Sequence, residues 1–215
     1  MRLRRKPWVD EALEEFSSFV FREKDLPEDM PGKWQELFPH QAPLWVELGT
    51  GKGDFISQMG ELYPEVNFVG LEAAPTVIYA AARKVAAKGL NNARLLIFDI
   101  NNLEQLFAPQ EIDRLYINFC DPWPKRRHAK RRLTHADFLA KYQKLLTKGG
   151  ELHFKTDNRP LFDFSLGEFR KVGAKIKNLT YDLHAENPTD NIETEYERKF
   201  SALGEKINRC EVVFT

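Results

Sequence analysis

Leu44-Trp45-Val46-Glu47-Leu48-Gly49-Thr50-Gly51-Lys52-Gly53-Asp54-Phe55-Ile56 runs from an apolar, strand-like segment through an acid and three alternating glycines into a helical pattern. Alternating glycines remove Cβ atoms where backbone must approach a ligand, and the helix start beyond them offers N–H groups and a positive dipole end. The stretch therefore reads as the floor of a small-molecule site, with a glycine-rich turn that binds nothing as the plain alternative. A phosphate-gripping Walker loop needs four residues between its first glycine and Gly-Lys-Ser/Thr, whereas Gly53 follows Lys52 here. A dinucleotide fingerprint needs G-x-G-x-x-G, and the spacing here is G-x-G-x-G.

Glu47 stands two residues before the first glycine, where an acid suits a cation better than a pyrophosphate. S-adenosylmethionine carries an ammonium and a sulfonium but no phosphate, so a carboxylate at the strand end complements it. The E-x-G-x-G-x-G pattern from Glu47 to Gly53 resembles motif I of class I methyltransferases.

Outward from this turn the pattern alternates. Strands are expected over 44–48, 67–72, 93–98, 114–119 and 151–156, with helices over 54–62, 76–88 and 160–172 and a weak one over 103–107. Thr134 with Asp137 resembles a capping box that opens a helix to Leu146, which Gly149-Gly150 ends. Two more strands are expected near 176–181 and 209–214. Strands alternating with helices give right-handed crossovers and a mostly parallel, doubly wound α/β sheet, seven-stranded here. Residues 1–40 read as an appendage: a basic tip (Arg2, Arg4, Arg5, Lys6), then a short amphipathic helix carrying Phe16, Phe19, Val20 and Phe21. Residues 41–215 are the domain proper.

The 32 basic and 32 acidic residues cancel, so only the distribution of charge can point to a partner. Cys120 and Cys210 lie far apart without C-x-x-C spacing, which favours neither a disulfide framework nor a zinc site. The five histidines show no metal-ligand spacing, so no metal is expected. The basic start leads into acids rather than an apolar segment, and no stretch approaches membrane length. A cytoplasmic protein without a membrane partner is the expectation; monomer and homodimer both stay open.

Five successive strands end on or just before an acid: Glu47, Glu72, Asp99, Asp121 and Asp157. In an open α/β sheet such ends share the edge where ligands bind, although acids that merely cap helix starts explain each single case. Glu72, 21 positions after Gly51, suits two ribose hydroxyls, and Asp99 suits an adenine amine, with Asn101 or Asn102 as substitutes. After the fourth strand comes Asp121-Pro122-Trp123-Pro124-Lys125-Arg126-Arg127-His128-Ala129-Lys130-Arg131-Arg132. Two prolines around a tryptophan fix an aromatic face beside a carboxylate, a holder for a planar base. Six of the eight residues from Lys125 to Arg132 are Lys or Arg, which reads as a phosphate contact, or blandly as a solvated loop. Cys120 as a nucleophile for cytosine methylation is the weaker reading against a buried small hydrophobe. Trp8, Trp34 and Trp45 read as packing residues. The acids Asp182, Glu186, Asp190, Glu193, Glu195 and Glu197 suit plain solvated surface, with Thr194 and Tyr196 offering hydroxyls.

Together with the 47–53 turn and the late Thr194-Glu195-Tyr196-Glu197, the D-P-W-P-K-x-R-H-x-K-R-R signature resembles the bacterial tRNA (guanine-N7-)-methyltransferase family over roughly residues 44–200. The resemblance implies a class I, Rossmann-like fold, S-adenosylmethionine as donor with S-adenosylhomocysteine as product, and the variable-loop guanine of tRNA as acceptor. It implies that Glu47, Gly49, Glu72, Asp99 and Asp121 line the cofactor site, with Asp121 also catalytic. Lys125, Asp157, Thr194, Glu195, Tyr196 and Glu197 match substrate contacts, and Arg127, His128, Lys130, Arg131 and Arg132 an RNA-contacting stretch. Cys120 departs from the pattern, since many relatives carry proline there. The family further suggests that one added strand runs antiparallel. A methyltransferase acting on an exocyclic amine is the rival enzyme; such enzymes show Asn/Asp-Pro-Pro-aromatic, and Trp123 stands at the second proline. The rival from another class is a catalytically silent RNA-binding protein on the same scaffold.

Overall fold

The computed structural model describes residues 7–186, 188–189 and 191–214, so the basic tip at Arg2, Arg4, Arg5 and Lys6, and Asp190, lie outside the described residues. The chain divides into two compact units, Met1–Ala108 and Pro109–Thr215. Among the described residues each unit holds four strands.

In the first unit helix α1 (Pro7–Glu14) leads to strand β1 (Val20–Arg22), followed by β2 (Leu44–Leu48), α2 (Asp54–Leu62), β3 (Asn67–Glu72), α3 (Pro75–Ala87) and β4 (Ala93–Ile97). The strand order is β1-β4-β3-β2, all parallel. Leu44, Val46, Leu48, Val69, Leu71, Leu95 and Leu96 are wholly buried, as expected for parallel strands covered on both faces. Helix α3 turns Ile78, Ala81, Ala82 and Val85 inward at helical spacing, and Gly89 ends it at a φ of +62°.

Strand β1 is the departure from the expected seven strands. The apolar run 16–21 was expected on one helix face, but α1 stops at Glu14 and Val20 pairs with Leu95 of β4. A Val-Phe pair prefers a pleated, half-buried surface, and the edge of β4 supplies one: the Leu95 N–H donates to the Phe19 carbonyl at 2.8 Å. Trp34 is fully buried, stacks on Phe107 at 5.2 Å and donates its indole N–H to the Leu106 carbonyl at 2.9 Å. Trp45 packs between Tyr63 and Phe68, while Trp8 meets Tyr79 edge-on and stays half exposed.

The second unit comprises β5 (Ile112–Asn118), α4 (Ala136–Leu145), β6 (Leu146–Thr156), α5 (Arg159–Lys171), β7 (Lys175–Thr180), α6 (Leu183–Glu186), α7 (Glu195–Ser201) and β8 (Asn208–Val213). Its strand order is β5-β6-β8-β7, with β8 antiparallel to both neighbours. One strand of reversed sense thus lies between two that run together.

Two local expectations fail here. Thr134 is buried and hydrogen-bonds the Ser165 hydroxyl at 2.7 Å instead of capping; the His135 imidazole accepts from the Asp137 N–H at 3.2 Å, and Glu168 accepts from the Ala136 N–H at 3.0 Å. Gly149-Gly150 does not end the unit but lies within β6, where the register jumps from Ile112 opposite Leu146 to Arg114 opposite Glu151. Gly149, at a φ of +84°, permits that bulge.

Candidate active site

In the first unit the turn after β2 is built by its glycines. Gly49 and Gly51 have φ of +81° and +57°, and a Cβ on Gly49 would meet nothing within 4 Å, so this backbone borders open space. Gly53 is different: at a φ of +78° it caps α2, and a Cβ there would fall 2.6 Å from Ala81 of α3. That glycine exists for helix packing. The Leu71 carbonyl accepts from the N–H groups of Gly49 and Thr50, both at 2.9 Å, tying the turn to β3.

Glu47 is buried near the end of β2, 5% exposed. Glu72, at the end of β3 and expected to take ribose hydroxyls, accepts from the Gly51 N–H at 3.3 Å and the Ala74 N–H at 2.9 Å, so it braces the glycine turn. Asp99 is exposed and caps a 3-10 helix (Ile100–Gln105), accepting from the Asn101 N–H at 3.0 Å and its side-chain amide at 2.7 Å. Glu47, Gly49, Glu72 and Asp99 all stand in this unit, around the ends of β2, β3 and β4.

In the second unit β5 ends in a strained corner. Phe119 and Trp123 both hold left-handed φ, +53° and +42°, bracketing Cys120-Asp121-Pro122. Each costs about 1 kcal/mol for a residue with a Cβ, and two tethers hold the shape. The Phe119 N–H donates to the Lys155 carbonyl at 2.8 Å. The Arg132 guanidinium donates to the Pro122 carbonyl at 3.2 Å and the Trp123 carbonyl at 3.1 Å, and lies 4.3 Å over the Phe164 ring. Arg132, expected on RNA, is half-buried and bonds the backbone of its own loop. Asp121 is exposed on this corner.

The basic run folds as a 3-10 helix (Arg126–Arg131) that presents Lys125, Arg126, Arg127, Lys130 and Arg131 to solvent. Trp123 offers less free face than its sequence context suggested, because Arg131 lies 4.9 Å over the ring and His128 packs edge-on at 5.7 Å. Burial and the Asp121 charge push the Cys120 thiol up to about 12, which disfavours the thiolate that a nucleophile needs.

Thr194-Glu195-Tyr196-Glu197 opens α7. Thr194 is the cap, its hydroxyl accepting from the Glu197 N–H at 3.0 Å. Tyr196 is 42% exposed, stacks on Phe200 at 4.2 Å, tilts against Phe119 at 5.0 Å and donates its hydroxyl to Asp157 at 3.3 Å. Burial, with Asp157 alongside, pushes its phenol up to about 12. Glu195 is exposed, whereas Glu197 is fully buried against Lys155. The structure therefore gathers Asp157 and Tyr196 into one contact, while Glu197 faces Lys155, Asn191 and His184. Nothing in the Glu195–Glu197 residue types distinguished the buried acid from the exposed one; the Thr-x-x-Glu cap spacing was the available signal.

Cross-strand register also produces a cluster that spacing along the chain hid. His153 of β6 faces Glu211 of β8, and ligand atoms of Glu151, His153 and Glu211 lie within 4.8 Å of one another. Arg114 and Lys177 sit on Glu151 at 3.2 and 3.3 Å, and Arg209 on Glu211 at 2.8 Å. With three cations already in place, the group is a charge network. Burial would raise the Glu151 carboxyl, but the His153 hydrogen bond and the charges of Arg114 and Lys177 hold it below its usual value.

Among the described residues no helix is long and apolar enough to cross a membrane. A family model described as "Putative methyltransferase" matches residues 41–210. The chain is 47% identical over 213 residues to a tRNA (guanine-N(7)-)-methyltransferase of Geobacillus kaustophilus, covering 99% of this chain and 97% of that protein. It is also 47% identical over 212 residues to the protein of that name in Bacillus subtilis, covering 99% and 98%. Among solved structures, an antibiotic-related methyltransferase matches with a TM-score of 0.62 at 18% identity, over 87% of this chain and 94% of that one. A 16S rRNA methyltransferase matches with a TM-score of 0.64 at 14% identity, over 90% and 96%. These structural likenesses speak to the fold, which is the class I, Rossmann-like methyltransferase fold.

Proposed function

The chain belongs to the tRNA (guanine-N7-)-methyltransferase family, and from that premise we propose that it methylates N7 of a guanine in tRNA, in the variable loop, using S-adenosylmethionine. The observation that carries this reading is the near-full-length likeness to the Geobacillus kaustophilus enzyme, which takes in both the 47–53 turn and the 121–132 loop.

The first unit fits the donor. Open space beside Gly49 admits a ligand against the backbone, and the buried Glu47 carboxylate gives an ammonium its counter-charge. Glu72 receives ribose hydroxyls and Asp99 the adenine amine, the second in place of its own cap contact with Asn101. Bound there, S-adenosylmethionine supplies an electrophilic methyl group on a sulfonium.

The second unit fits the acceptor. Guanine N7 is a lone pair with no proton to lose, so the protein needs to orient the base rather than deprotonate it. Asp121, exposed on its strained corner, is the catalytic residue of this reading. It accepts from the purine and stabilises the positive charge that N7 gains. Asp157, oriented by the Tyr196 hydroxyl, takes the second edge of the base, with Lys125, Thr194 and Glu195 at the rim. Arg127, His128, Lys130 and Arg131 meet the RNA backbone, where counterion release favours binding. A tRNA substrate also places the enzyme in the cytoplasm.

The test is incubation with labelled S-adenosylmethionine and unmodified tRNA transcript, followed by chain scission at N7-methylguanosine. A single labelled, scissile variable-loop position supports the assignment; label at an alkali-stable position refutes it.

A further inference from the structure

Lys155 lies on β6, two residues before Asp157, and is 4% exposed. Its ammonium reaches across to residues 191–197 and donates to Glu197 Oε2 at 2.6 Å, the Ile192 carbonyl at 2.9 Å and Asn191 Oδ1 at 3.0 Å. Glu197 Oε1 accepts from the Asn191 side-chain amide at 2.9 Å, which closes a ring of contacts. Residues 191–194 are each only half-buried, and within 191–197 the one fully buried side chain is the Glu197 carboxylate. A buried ion pair is a poor stability device compared with apolar residues of the same volume, but it fixes geometry because an unpaired partner is so unfavourable. What it fixes is the base of α7, and hence Tyr196, whose ring lies on Phe119 and whose hydroxyl bonds Asp157.

We infer that Lys155 and Glu197 are positioning residues: their ion pair latches residues 191–197 onto β6, holding Tyr196 and Asp157 ready for the purine. Glu197 then acts without touching substrate. The inference rests on the proposed function for its kinetic consequence but not for its structural one. If the latch is open in part of the population, the apparent tRNA affinity falls by the closed fraction, while saturating tRNA restores the closed form. KM moves and kcat does not.

The test pairs hydrogen–deuterium exchange with steady-state kinetics on the full chain. Lys155→Met with Glu197→Gln removes both charges of the pair together, leaving His184, whose Nε2 lies 3.2 Å from Glu197 Oε1, beside a neutral side chain. The expected result is faster exchange across residues 191–202 with the 146–171 region unchanged, a tRNA KM raised on the order of tenfold, and kcat held within about twofold. Asn191→Ala, which orphans no buried charge, moves both readings in the same direction by less, and decides the matter if the double variant fails to fold. Unchanged exchange at 191–202 in the variants, or a fall in kcat at constant KM, overturns the latch. A wild-type protein that does not methylate guanine N7 overturns the functional reading instead, and the exchange result still decides the latch.

Discussion

Arg132→Ala separates two roles that the basic run mixes. The wild-type guanidinium makes hydrogen bonds to the Pro122 and Trp123 carbonyls and lies over Phe164. At a half-buried position each charged hydrogen bond contributes about 1 kcal/mol and the ring contact about 0.7 kcal/mol. Releasing Trp123 from its left-handed φ of +42° recovers about 1 kcal/mol. The corner that presents Asp121 is therefore weakened by about 2 kcal/mol, or roughly 30-fold in kcat/KM if the chemistry needs that corner. A phosphate contact has a different signature: its loss lowers the slope of log affinity against log salt by about 0.7–0.9. Kinetics with unmodified tRNA at several salt concentrations give both quantities. The expected outcome is a 30-fold loss with the slope unchanged. Near-normal kcat/KM, or a slope lower by nearly one with activity recovered at low salt, refutes the corner-holding role.

Three further outcomes follow from the geometry. Arg127→Ala with Lys130→Ala removes two exposed cations, and filter binding to tRNA is expected to show a salt slope lower by roughly 1.5; an unchanged slope removes both from the interface. Gly53→Ala sets a Cβ 2.6 Å from Ala81 at a φ of +78°, a cost of about 2–4 kcal/mol, and calorimetry is expected to show a melting temperature lower by on the order of 10 °C. Burial, with Arg114 nearby, holds the His153 imidazole below its ordinary 6.5, against the pull of Glu151 and Glu211. The unfolded chain therefore takes up that proton first, so stability is full above the ordinary value and declines as pH falls through it. Urea titrations of His153→Gln should be flatter than wild type between pH 7 and 5, and equal slopes would contradict the assignment.

The sequence made β2, α2 and β3 legible to the residue because each carries its own signal: an apolar run, a glycine turn, a helical repeat. Strand β1 was hidden because three residues hold no period, and only pairing with β4 makes them a strand. The bulge at Gly149 mimicked a terminator for the same reason, since glycine serves both. At the candidate site the residue types were readable and their directions were not. Arg132 and Arg131 are neighbours of like charge, yet one binds the backbone of its own loop and the other faces solvent. Glu195 and Glu197 differ in the same way, and what separates them is Lys155, 42 positions upstream of Glu197. Contacts of that separation depend on how β6 and α7 pack, which no local pattern encodes.

If a guanine N7 lone pair receives the methyl group, replacing that one atom in the substrate abolishes transfer. A tRNA carrying 7-deazaguanosine at the accepted position keeps the Watson–Crick edge and the exocyclic amine but has no N7. This tRNA is expected to compete with unmodified tRNA for the enzyme while taking up no labelled methyl group. Methylation of the deaza substrate at that position would mean that another atom is the acceptor.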